Sequence, residues 1–184
     1  MSQTQGVQIT ARLIRDISPS TFTELKKRVN VDAKYVKVGI PSSEKETDGT
    51  SLAMVGAVNE FGSPDKGIPE RPFLRPGTRR GKPDFIRLNR VNLVKMLRKQ
   101  MSIDKGLGQL GAMAVGKVKQ EIRNGEFKSL AAETIAARKR RLSPKYRAKL
   151  EAKLGHPLNL DKPLIDSGNL IQGVTYQIVP KGQK

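Results

Sequence analysis

Residues 84–124 read DFIRLNRVNLVKMLRKQMSIDKGLGQLGAMAVGKVKQEIRN, and their spacing decides the fold class. Phe85, Leu88, Val91, Leu93, Val94, Leu97 and Met101 form one broad apolar face at helical period. A break follows near Ser102. Leu107, Leu110, Ala114, Val118 and Ile122 then recur at intervals of three and four, up to a stop at Asn124-Gly125. Two long amphipathic helices are therefore predicted for the middle of the chain. Working outward, Tyr35-Val36-Lys37-Val38-Gly39-Ile40 alternates with period two and is the clearest strand. Val174 to Val179 reads as a closing strand, and Val7 to Ile14 as a weaker one at the start. Thr21-Phe22-Thr23-Glu24 has capping-box spacing for a helix to about Val29. Ser51 can cap a short apolar helix through Phe61, stopped at Gly62. Further helices cover Ala131 to Leu142 and Lys145 to Leu154, parted by Ser143-Pro144, with a short one near Ser167 to Gln172. The expectation is one α+β domain over residues 1–184. A small antiparallel sheet from both chain ends packs with a largely helical middle. Residues 41–50 read as a flexible loop, residues 62–83 as an extended proline-rich arm, and residues 138–160 as a basic helical stretch and loop.

Composition excludes several chemistries. With no Cys, disulfide scaffolds, cysteine zinc sites and thiol catalysis are out. With one histidine, His156, no site can use two. The hydrophobic fraction of 36% lies below that of ordinary globular domains, so the core is small and aliphatic and some segments are expected to pack only against partners. The longest apolar run, Leu52 to Val58, is too short to span a bilayer, and the first residues lack the apolar core of a signal peptide. A protein kept in a cytoplasm-like compartment, without membrane association, is expected.

The net charge is +18, unevenly spread. Residues 1–80 hold 13 basic and 9 acidic side chains; residues 81–184 hold 22 and 8. The densest stretch is Arg138, Lys139, Arg140, Arg141, Lys145, Arg147, Lys149 and Lys153, against Glu151 alone. Such a field draws an acidic protein surface or a polyanion. Its partner-facing residues are taken as Arg138, Arg140, Arg141, Lys145 and Arg147. Only Tyr146 lies inside the stretch, so there is no platform for stacking bases, and an acidic neighbouring protein is favoured over the DNA path.

Catalytic motifs fail on context. Gly106-Leu-Gly108-Gln-Leu-Gly111 follows a helix, not the strand that a dinucleotide site needs. Gly111 to Lys117 approaches a phosphate-binding loop, but Val118 stands where a hydroxyl is needed. Gly108, Ala112 and Gly116 instead place a smooth stripe on one helix face, suited to close packing of another helix. His156 with Ser143 or Ser167 and Asp166 lacks a nucleophile elbow. The carboxylate pairs Asp161/Asp166 and Asp48/Glu60 have no supporting motif. The expectation is a non-enzyme without cofactor or metal.

Two sets of residues carry more information. The first is Val58-Asn59-Glu60-Phe61-Gly62, then Ile68-Pro69-Glu70-Arg71-Pro72-Phe73-Leu74-Arg75-Pro76-Gly77. The second is Thr134-Ile135-Ala136-Ala137-Arg138, then Lys162-Pro163-Leu164-Ile165-Asp166-Ser167-Gly168-Asn169-Leu170 and Val174-Thr175-Tyr176. An arm without local hydrogen bonds gains most by laying Phe73 into a neighbour's pocket, and its prolines reduce the entropy lost on docking. Arg71 offers a fork to a carboxylate such as Glu60 of the same or the next subunit. Asp166 or Ser167 can cap the short helix, and Gly168 permits close packing there.

In this order, over about residues 50–178, the segments resemble neck and tail-completion proteins of tailed bacteriophages, which join the head to the tail. Ser167 stands where that family more often has Thr, and the basic stretch is extra. The resemblance implies a structural virion protein at the head–tail junction or tail end, assembled in the host cytoplasm. It implies a homo-oligomeric ring, taken as hexameric, between neck or portal-side proteins and tail tube proteins. DNA would pass through the lumen without sequence recognition. Asn59, Glu60, Phe61, Gly62, Arg71, Pro72, Phe73 and Leu74 would form the subunit interface. Pro163, Leu164, Asp166, Ser167, Gly168 and Leu170 would form a structural turn. The alternative is a basic DNA-binding or DNA-packaging accessory protein, marked by duplex binding with a steep salt slope.

Overall fold

The alternating residues around Val36 and Val38 form a strand, β1 (Lys34–Gly39), and the closing segment forms β2 (Thr175–Pro180). The two pair antiparallel, Val36 opposite Ile178 and Val38 opposite Tyr176, so both half-buried pairs share one face. Between them the chain is mostly helical: α1 (Leu52–Phe61), α2 (Leu74–Leu97), α3 (Ile103–Asn124), α4 (Ala132–Arg141), α5 (Pro144–Leu154) and α6 (Asn169–Gly173). The fold is α+β, with a two-stranded sheet drawn from near both chain ends. These features come from a computed structural model that describes residues 18–20, 23, 27, 34–46, 49–154, 160–166 and 168–181, the side chains of residues 146, 150, 153 and 154 excepted. The strand expected over residues 7–14 and most of the helix expected over 21–29 lie outside these residues, as do Asp48, His156 and Ser167. No helix among the described residues is long and apolar enough to cross a membrane.

Local chemistry explains most boundaries. Ser51 caps α1 by accepting from the Met54 N–H at 3.4 Å, and Gly62 ends it at φ +73°. α2 closes with Lys99 in the left-handed region (φ +58°), where Lys99 N–H donates to Met96 and Gln100 N–H to Lys95. That is the pairing of a Schellman turn. Ser102 then caps α3 through Lys105 N–H. Residues 41–50 are closed by backbone bonds, with Glu46 N–H on Thr50 and Leu52 N–H on Glu44.

The proline-rich segment is helical earlier than its composition predicts. α2 starts at Leu74, not near Asp84. Pro76 sits in the first turn, whose N–H groups lack intrahelical partners in any case, so proline is tolerated there. Pro83 lies inside the helix. Only residues 62–73 remain as a non-helical arm, and they include a short 3-10 turn at Pro64–Lys66.

The chain gathers in two compact units. One comprises the described residues up to Gly39 with Thr78–Lys117 and the chain from Thr175 onward; the other comprises Ile40–Gly77 and Val118–Val174. In the first, the sheet packs on α3. A Cβ at Gly111 would lie 2.3 Å from Tyr176 Cδ2, so the ring occupies the space a side chain would need. Leu97 and Ala114 are buried in this unit, and Lys34 bonds Asp104 at 2.8 Å. The expected stripe resolves differently. Ala112 is exposed and Gly116 faces open space, while Gly108 meets only the Tyr176 hydroxyl. Among the described residues no helix packs on the stripe; the close approach belongs to Gly111. In the second unit, Leu52, Phe73, Val118, Ile122, Leu164, Leu170 and Val174 form the buried set. Gly56 and Gly173 make room there for Ile40 and Leu52.

Candidate functional site

The second unit carries the arm and the elements that hold it. After Gly62, Ser63 and Ile68 exchange backbone bonds of 2.8 and 2.9 Å, which close the loop on itself. A Cβ at Gly62 would fall 3.0 Å from Glu70 N and Ile68 O, so this glycine answers both a positive φ and a tight approach. The arm then runs back along α1, with Arg71 N–H donating to Asn59 O at 2.7 Å.

Glu60 is the centre of the junction. Its carboxylate accepts from the N–H groups of Phe73 (2.7 Å), Leu74 (2.8 Å) and Arg75 (3.0 Å), where α2 opens and the helix supplies no acceptors of its own. Arg75 Nε adds a bond at 2.8 Å, and Arg75 Nη2 reaches Glu60 O at 2.8 Å. Negative charge is favoured at a helix start, and here it comes from another helix. Burial alone would push the Glu60 carboxyl up. The backbone donors and Arg75 outweigh it and hold the pKa below the ordinary value.

Arg71, expected to fork onto a carboxylate, does not touch Glu60. Its Nε and Nη2 each donate at 2.8 Å, to the carbonyls of Lys128 and Ser129. Backbone carbonyls accept from a guanidinium as carboxylates do, and Arg71 stitches the arm to the segment before α4. Burial, with Arg138 as a nearby like charge, pulls the Arg71 pKa down. Arg75, which was not singled out from sequence, is the carboxylate's partner. Its guanidinium also lies 4.9 Å from the centre of the Phe61 ring.

Phe73 is fully buried in its own unit, near enough to Gly56 that an added Cβ would meet it at 3.8 Å. The expectation that Phe73 reaches a neighbouring subunit is corrected: the Glu60 junction turns it inward. Pro72 and Leu74 are half-buried. Phe61 is the arm's aromatic that faces out, 61% exposed, with Met54 at 64% about two turns earlier on α1. Together with Val58, Ile68 and Pro69 they line an open groove of about 1070 Å³ between α1, the arm and residues 128–134.

The basic stretch divides. Arg138 is buried, and its Nη1 reaches the carbonyls of Leu160 (3.0 Å), Lys162 (2.9 Å) and Ile165 (3.2 Å). Its Nε lies 3.6 Å from Asp166, which also pairs with Arg141. Burial lowers the Arg138 pKa, Asp166 raises it and Arg141 lowers it further. Arg138 thus serves the fold of residues 160–166, a correction to its assignment as a partner-facing residue, while Arg141 pairs with Asp166 and stays exposed. Arg140 and Lys145 are exposed, and Arg147 is half-buried. Asp166, spent on these arginines, gives no cap bond to α6. Its N-cap is Gly168, whose φ of +85° is the reason for glycine there. In the same turn, Leu164 (φ +63°) and Leu170 are buried and Pro163 is half-buried, and Asn169 donates to Glu46 at 2.7 Å.

The arrangement holds and presents surfaces. Among the described residues no three His, Cys, Asp or Glu side chains gather as metal ligands would. No family model matches the chain, and neither does any curated protein or solved structure in the comparisons.

Proposed function

We propose that this chain is a structural protein of a tailed-phage particle, working as a homo-oligomeric ring at the head–tail junction or tail end. The observation that carries the reading is the ordered set of segments from Val58 to Tyr176 that resembles neck and tail-completion proteins. The geometry adds a physical role for those segments. The Glu60 junction, the Ser63–Ile68 bonds and the Arg71 bonds hold the arm as a preformed edge, so little ordering entropy opposes docking. Phe61 and Met54, exposed beside the groove, supply the apolar anchor that a subunit contact needs. In this reading the ring contact runs through Phe61 and Met54 rather than Phe73. Identical subunits packed head to tail close when the rotation permits, and DNA passes through the lumen.

Sedimentation velocity and negative-stain class averages of the purified protein test this. Rings are expected without DNA. Phe61→Ala with Met54→Ala should shift the population toward monomer without lowering the melting temperature. A wild type that stays monomeric at high concentration, in isolation and with neck or tail tube proteins, overturns the proposal.

A further inference from the structure

The α4–α5 stretch keeps one set of cations outside every ion pair among the described residues. Between Lys139 and Lys149 the sequence places Lys139, Arg140, Arg141, Lys145, Arg147 and Lys149 with no acid among them. Arg141 is paired with Asp166. Lys139, Arg140, Lys145 and Lys149 are exposed and Arg147 is half-buried. Among the described residues none of these five takes part in an ion pair. The acids nearby are already used: Asp166 by two arginines, and Glu151, half-buried, is engaged elsewhere. On α5, Lys145, Ala148, Lys149 and Ala152 are exposed at helical spacing, so small methyl groups separate the lysines along one face.

The composition of this face decides its partner. Its described exposed residues from Lys139 to Ala152 are Lys, Arg, Ser, Pro and Ala. A protein interface needs a desolvated centre, rich in aromatic residues and poor in Lys. None of the described side chains here can form one. A phosphate backbone needs the reverse: cations on a low surface over which a charged rod can lie. Stacking of single strands needs aromatic rings, which the described face lacks. We infer that the exposed face of Lys139, Arg140, Lys145 and Lys149 binds the phosphate backbone of duplex DNA without reading its sequence. This reverses the preference for an acidic protein partner drawn from sequence, because Arg138 is buried, Arg141 is paired with Asp166, and what remains among the described residues is Lys-rich and without anchors. The inference does not require the ring.

Fluorescence anisotropy with a mixed-sequence duplex, across a series of salt concentrations, tests it. Each phosphate contact contributes about 0.9 to the slope of log affinity against log salt. Replacing Lys139, Arg140, Lys145 and Lys149 with Gln should flatten the slope by about 3–4 and weaken binding at least tenfold at low salt. Arg79→Gln with Lys82→Gln, Arg90→Gln and Lys95→Gln removes equal charge from exposed positions on α2 and should change it far less. Lys145→Glu with Lys149→Glu, a milder change to the chain, should weaken binding in the same direction, with helicity by circular dichroism unchanged in all variants. No duplex binding by the wild type at low salt overturns the inference. So does equal flattening by the α2 variant, which would reduce the effect to net charge. Tighter binding of labelled polyglutamate than of duplex would hand the face to an acidic protein. Sedimentation of the same samples scores the ring separately. Rings without duplex binding remove this inference alone, and duplex binding without rings removes the ring alone.

Discussion

The junction around Glu60 and the stretch around Arg140 lie in one compact unit and are both charged, yet they spend charge in opposite ways. At the junction the ions meet backbone groups: Glu60 takes the N–H groups that open α2, and Arg71 takes two carbonyls. Along α4 and α5, Lys139, Arg140, Lys145 and Lys149 are exposed and make no ion pair among the described residues. Arg138 is the exception that explains the rule. It lies beside the non-helical segment 160–166, whose carbonyls need donors, and it is buried there. A charged side chain turns inward where the fold brings it to backbone groups that can pair with it.

The sharpest way to break this comparison lies in the arm's two aromatics. Phe73→Ala should cost about 3–5 kcal/mol of stability by urea unfolding, as buried aromatic truncations do. Phe61→Ala should stay within about 0.5 kcal/mol. Similar losses for both would mean that the junction does not sort them. Next in size are the ions. Arg138→Gln and Glu60→Gln each remove charge-assisted bonds and should cost about 1.5–3 kcal/mol. Arg140→Gln should be nearly silent in the same unfolding assay. An equal cost for Arg140→Gln would erase the distinction between the two regions.

Acid titration sharpens the same point. The folded pKa of Glu60 is lowered, so its stabilising contribution is fully present above the ordinary value near 4.5. It is lost as the pH falls through the depressed folded value. Stability measured from neutral pH downward should therefore fall along a limb to which Glu60 contributes, and Glu60→Gln should flatten that limb. An unchanged acid limb in the variant would show that the carboxylate does not latch α2.

The smallest effects separate two glycines of α3. Gly111→Ala drives a methyl into the Tyr176 ring and should destabilise by about 1–3 kcal/mol. Gly116→Ala meets open space and should stabilise by about 0.5–1 kcal/mol through helix propensity. Thermal melts of the pair check this. Destabilisation by both would return the small-residue stripe to a packing role.

Much of this fold is legible in the sequence because its signals are local. Ser51 and Gly62 bracket α1, Ser102 parts the two long helices, Asn124-Gly125 stops the second, and Ser143-Pro144 divides the basic stretch. Each boundary rests on a cap, a left-handed turn or a missing donor within a few residues. The alternation that marks β1 and β2 is equally local, though their pairing joins residues at opposite ends of the chain. The site was legible only in part. The motif residues Asn59, Glu60, Phe61 and Arg71 all belong to the junction, but their bonds were misread. The actual partner, Arg75, gave no sign beyond its place in the same segment.

The residues alone therefore determined the two paired strands, most of the described helices, a mostly aliphatic core and the excess of cations. Tertiary structure decided the start of α2 at Leu74, the inward turn of Phe73, the pairing of Glu60 with Arg75, the Gly111–Tyr176 contact, the burial of Arg138 and the pairing of Arg141 with Asp166. The physical reason is the range of the interaction. Caps and periodicity act within a turn or two, so neighbouring residues encode them. A buried hydrogen bond to a free backbone group can be met by any donor or acceptor the fold brings near: Glu60 lies 13 residues before Phe73, and Arg138 lies 22 residues before Leu160. Only the folded chain selects among those partners.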